Sequence, residues 1–92
     1  MSVAASIHAK LTEALQPLVL EIDDQSASHA GHAGLKGLAP GETHFALRIV
    51  SDRFEGLNRV ARQRLVYRIL AEELRHPVHA LALVTQTPSE AA

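Results

Sequence analysis

The 92-residue chain is 47% hydrophobic and 21% charged, the balance of one small folded domain rather than of a disordered chain. Nine Lys and Arg against ten Asp and Glu give a formal charge of -1, which removes any global positive field for nucleic acid or anionic lipid. With no cysteine, disulfides, thiol nucleophiles and thiolate metal sites within the chain are excluded, and six histidines become the notable excess of candidate ligands.

The opening "MSVAASIHAK" lacks the basic start and apolar run of a secretory signal, and no stretch approaches the length of a membrane span. The cytoplasm is therefore the expected location. From Ala4 to Leu15, Ile7, Leu11 and Leu15 recur at the helical period, and Pro17 closes this first helix. "LVLEIDD" follows and alternates Leu18, Leu20 and Ile22 against Val19, Glu21 and Asp23, as a strand with one buried face does. Residues 25 to 42 hold all but one of the five glycines, with Pro40, and show no apolar period. Such a segment reads as a long flexible loop, a length of connection that is more often functional than idle.

"THFALRIVS", residues 43 to 51, alternates again and predicts a second strand with Phe45, Leu47 and Ile49 on one side and His44, Ala46 and Arg48 on the other. A long helix is expected from Asn58, as N-cap, to Leu74, with a buried stripe of Val60, Ala61, Leu65, Ile69 and Leu70. Pro77 disfavours helical geometry at His76. "VHALALVT", residues 78 to 85, predicts a third, more fully covered strand. The fold class is then α+β in the order α-β-β-α-β: a small three-stranded mixed sheet covered by helices on one face, its first two strands antiparallel and the third parallel to the second across a helical crossover.

Two groups of side chains could carry chemistry. "HAGHAG", residues 29 to 34, places His29 and His32 among glycines, where they are either solvated connectors or metal ligands waiting for converging donors. His79, at the start of the third strand, is either bonded to a backbone carbonyl or presents a ring nitrogen outward. His44 lies on the less buried face of its strand, whereas His76, with Arg75, complements the end of the long helix. The second group is cationic: Arg59, Arg62, Arg64 and Arg68 on the long helix, with Arg53 before it, form either a solvated face or a phosphate-binding one. Glu72 and Glu73 have the pattern of a solvated helix face. No Gly-rich phosphate loop and no recognisable nucleophile context appears, so no enzymatic activity is expected.

"GETHFALRIVSDRFEGL", "RQRLVYRILAEEL" and "VHALALVTQTP" at the expected interval resemble the BolA family over nearly the whole chain, as a single domain with a Gly/His loop at about 25–42 and a short tail at 88–92. The resemblance implies a type II K-homology-like fold and a role in iron-sulfur trafficking or in iron and redox regulation. The implied partner is a monothiol glutaredoxin of the CGFS type. A [2Fe-2S] cluster would be held between the two proteins, with the glutaredoxin cysteine and glutathione on one iron and residues of this chain on the other. The family's characteristic histidine falls on His79, and its second ligand comes from the loop between the first two strands, where His29 and His32 lie, with His44 at the far edge. Neutral imidazoles in place of thiolates remove negative charge from a cluster and raise its reduction potential, as in Rieske centres. The resemblance also permits DNA binding through the arginine face. The isolated chain is expected to be a monomer without a cofactor of its own. Gln63 stands where the family usually has a histidine between two arginines, and the C-terminal helix common in relatives is expected to shrink to a turn.

Overall fold

The computed structural model describes residues 2–25 and 43–92. Helix α1 (Val3–Leu15) leads into strand β1 (Val19–Asp24). After strand β2 (His44–Val50) and a 3-10 turn (Asp52–Phe54) come α2 (Arg59–Ile69) and the short α3 (Ala71–Arg75). Strand β3 (Ala80–Gln86) and a final turn, α4 (Pro88–Ala91), complete the chain. The loop expected over 25–42 lies, apart from Gln25, outside the described residues.

Helix α1 begins because the Ser2 hydroxyl accepts the Ala5 N–H at 3.0 Å, supplying one of the partners that a first turn lacks. It ends on Gln16, whose left-handed backbone (φ 45°) turns the chain into Pro17 while its N–H bonds Thr12 O. As the spacing predicts, Ile7, Leu11 and Leu15 are the buried stripe of this helix.

The sheet has the order β1-β2-β3, with β1 antiparallel and β3 parallel to the central β2. Phe45, Leu47 and Ile49 are no more than 2% exposed and form the middle of the core, which Ile7, Leu11, Phe54, Val66, Leu70 and Val78 complete. The alternate side chains of β2, His44, Ala46 and Arg48, face the side on which no helix packs among the described residues and are only half-buried.

Four expectations are corrected. Leu18 lies outside the buried face at 69% exposure, because the strand pairs from Val19 and only Leu20 and Ile22 pack on the core. The helix from Asn58 breaks at Leu70 instead of running on to Leu74. Its buried face is widened and shifted: Leu70 is buried and Leu65 and Ile69 pack on the core as expected, but Val60 is 52% exposed and Arg62 and Val66 face inward. Strand β3 is not fully covered either. Leu81 and Leu83 pack on the core, but Ala80, Ala82 and Val84 lie on the open face, because no helix crosses it among the described residues.

The break at Leu70 has a consequence for charge. It aims α3 so that Glu73, expected on a solvated face, is 7% exposed and meets α1, where Ser6 Oγ donates to its carboxylate at 2.6 Å and Lys10 Nζ at 3.0 Å. Burial by itself would raise this carboxyl's pKa, but the bonds from Lys10 and Ser6 outweigh it and the net shift is downward.

Candidate functional site

Parallel pairing of β2 and β3 sets His44 opposite Ala80, so the residue before Ala80, His79, arrives beside His44 at one end of the sheet. Their ring centres are 6.4 Å apart, with the planes tilted by 38°. Thr43 ties both residues down. Its carbonyl accepts the backbone N–H of His79 at 2.7 Å and of Ala80 at 3.2 Å. Its Oγ1 lies 2.9 Å from His44 Nδ1. A hydroxyl can accept from Nδ1, which leaves the Nε2 lone pair for a ligand, or donate to it, which puts the ring proton on Nε2.

His79 is exposed and His44 half-buried, so the pair sits at the surface rather than in the core. Two imidazoles on one tetrahedral ion, each nitrogen about 2 Å from it, have ring centres roughly 5 Å apart. The observed separation of 6.4 Å is longer than that value by more than about 1 Å. Among the described residues no group of three or more His, Cys, Asp and Glu converges. Two imidazoles brought to one end of the sheet supply two nitrogen donors of a coordination sphere, which further donors would have to complete.

Of the histidines singled out in the sequence, the fold therefore joins His44 and His79. His29 and His32 lie outside the described residues. His76 is exposed at the end of α3, in the extended conformation that Pro77 favours, with its N–H on Glu72 O at 3.3 Å. Thr43 was missed in the sequence. The signal available was its position directly before β2, where its carbonyl can reach across to the next strand.

The cationic group divides. Arg53, Arg59, Arg64 and Arg68 are exposed, and no acidic residue occurs from Arg59 to Leu70 to neutralise the face of α2. Arg62 does not belong with them and is corrected to a structural residue at 9% exposure. Its Nε donates to Leu57 O at 2.8 Å, and its Nη1 to Thr85 O at 3.2 Å. The guanidinium fork also takes both carboxylate oxygens of Glu90, at 2.7 and 3.2 Å, and Cζ sits 5.7 Å from the centre of the Phe54 ring. Bidentate pairing of this kind is what a guanidinium does better than an ammonium. It also explains α4. Thr87 and Glu90 close a capping box on that single turn, and Arg62 fastens it to α2. With the Arg62 fork and the Thr87 N–H as donors, the Glu90 carboxyl is held down at about 2.

Comparison with known proteins agrees with this fold. A family model described as BolA-like protein matches residues 11–90. The chain is 53% identical over 87 residues to the Arabidopsis thaliana protein BOLA1, chloroplastic, covering 95% of this chain but 54% of that protein, so it spans about half its length. It is 44% identical over 90 residues to the Escherichia coli DNA-binding transcriptional regulator BolA, covering 98% of this chain and 80% of the relative. The solved structure of BolA1 from Arabidopsis thaliana superposes with a TM-score of 0.86 at 52% identity, covering 97% of this chain and 95% of that one. Among the described residues no helix is long and apolar enough to cross a membrane. Core alternation, strand order and the extent of these matches agree, and the chain belongs to the BolA-like family.

Proposed function

We propose that this protein is a non-enzymatic adaptor that docks on a monothiol glutaredoxin of the CGFS type and supplies imidazole ligands to one iron of a shared [2Fe-2S] cluster, in iron-sulfur trafficking or iron and redox regulation. The observation that carries this is the pairing of His44 with His79, 6.4 Å apart at an exposed end of the sheet. The donors fit the group. Neutral nitrogen ligands on one iron are the chemistry of a Rieske centre, and glutaredoxin cysteine and glutathione would supply the thiolates that this chain lacks. The chain's own residues set this arrangement: Thr43 Oγ1 contacts the His44 ring at 2.9 Å, and the Thr43 carbonyl anchors the backbone of His79. Ligation requires the neutral form of each imidazole.

The test titrates the protein into cluster-loaded glutaredoxin and follows visible absorbance together with nitrogen hyperfine couplings of the reduced cluster. Wild-type protein is expected to add imidazole couplings and shift the spectrum, and His79→Ala to abolish both. A spectrum unchanged by His79→Ala overturns the proposal. Couplings that survive in His44→Ala but vanish in His29→Ala or His32→Ala move the second ligand to that histidine.

One observation favours a second function, DNA binding by a transcriptional regulator. Arg53, Arg59, Arg64 and Arg68 are exposed, and the Escherichia coli relative is named for that activity. Phosphate-led binding weakens steeply with salt through counterion release, whereas cluster ligation responds to pH. Duplex affinity that is indifferent to salt, or to Arg59→Ala and Arg64→Ala, would argue against it.

A further inference from the structure

We infer that the free edge of β3 is a self-association site, at which two copies of this chain join antiparallel across a two-fold axis through Ala82. Among the described residues both outer strands of the sheet offer an edge, but their chemistry is opposite. Strand β1 carries Glu21, Asp23 and Asp24, all exposed, the kind of charge that keeps an edge from pairing with itself. Strand β3, "ALALVTQ", is seven residues without a charge. Around a two-fold axis the whole strand meets its own copy, so any charge near the axis would face its own sign, and β3 avoids that repulsion.

The hydrogen bonds fix which backbone groups are available. Ala80 N–H bonds Thr43 O, and Gln86 O accepts the Ser51 N–H, so the even-numbered residues of β3 turn their backbone groups toward β2. The odd-numbered ones, Leu81, Leu83 and Thr85, turn theirs outward. Thr85 O is already taken by Arg62 at 3.2 Å, which closes the lower end of the edge. Leu81 and Leu83 remain, each with one N–H and one C=O directed at the side where no further strand pairs among the described residues.

A two-fold axis through Ala82 uses all four of these groups. Leu81 of each copy stands opposite Leu83 of the other as a hydrogen-bonded pair, giving four inter-chain bonds. Ala82 meets Ala82 at the closely spaced position between them, where Cα atoms approach to about 4.5 Å and a methyl side chain fits. On the open face the exposed Ala80 stands opposite Val84, small against branched, and Val84, 50% exposed in the single copy, gains a neighbour. On the other face the half-buried Leu81 and Leu83 extend the two cores toward one another. An interface of one strand per copy is smaller than the roughly 1,200–2,000 Å² of a permanent complex, so association is weak and concentration-dependent. Both His79 rings lie at the far ends of the joined strands, clear of the axis.

The experiment is sedimentation velocity on the full chain from about 10 μM to about 1 mM, a range that brackets weak association. Wild type is expected to rise toward twice the monomer mass. Ala82→Lys and Ala82→Glu, at an exposed site that either side chain can occupy, should each weaken association by roughly fivefold or more through like charges at the axis. An equimolar mixture of the two should recover it. Wild type that stays monomeric throughout, association that Ala82→Lys leaves unchanged, or loss in both variants without recovery on mixing would each overturn the proposal.

Discussion

Replacing Arg62 with alanine distinguishes a structural arginine from a phosphate-binding one. The side chain donates charge-assisted hydrogen bonds to two backbone carbonyls, Leu57 O and Thr85 O, which alanine cannot replace. Bonds from charged donors contribute about 1.5 kcal/mol or more each, so R62A should cost about 3 kcal/mol, with the Glu90 contact left out because that carboxylate is half-exposed and rehydrates. For a domain of this size the loss corresponds to a fall in Tm of about 12 °C or more. R62K should fall between wild type and R62A, since an ammonium lacks the fork. Thermal unfolding followed by circular dichroism measures both. R59A, R64A and R68A, at exposed positions, should stay within about 0.5 kcal/mol of wild type. An R62A protein that melts with wild type while losing duplex affinity would show that Arg62 faces solvent and that the internal bonds described above do not hold it.

Acid should release α4 before it unfolds the core. The Glu90 carboxyl is held at about 2 by Arg62 and the Thr87 N–H, a depressed value, so its contribution is complete above the ordinary carboxylate range near 4.5 and is lost as the pH falls toward about 2. Amide signals of Ser89 to Ala91 should broaden in that window, and E90Q should show no such step; an α4 that stays ordered at pH 2 contradicts the assignment. Asn58→Ala removes the acceptor that the Ala61 N–H reaches at 2.8 Å and should cost about 1 kcal/mol in urea unfolding, whereas Asn58→Asp should restore most of it.

Local periodicity and capping carried most of the fold. Ile7, Leu11 and Leu15 at helical spacing, Phe45, Leu47 and Ile49 at strand spacing, and Asn58 as N-cap all occupy the places expected of them, because each depends on neighbours within a turn or a strand. The mixed sheet followed from connection lengths. Failures cluster where a distant segment decides burial. Val60 and Arg62 exchange expected places because a long amphipathic side chain can be buried if remote carbonyls and a carboxylate receive its charge, and periodicity counts only apolar residues. Glu73 is buried for the same reason, its partners being Ser6 and Lys10 on the first helix.

The candidate site divides along that line too. Composition alone determined that this chain can supply no thiolate, which leaves its histidines as the side-chain nitrogen ligands, and that no overall positive field exists. Which histidines meet was decided by tertiary structure. His44 and His79 come together only because β3 returns parallel to β2 in a register that sets Ala80 against His44, and Thr43 spans the two strands to hold them there. Side-chain spacing records what one segment can bury, whereas strand register is settled by the packing of the intervening helices, and that information is shared among residues far apart in the chain.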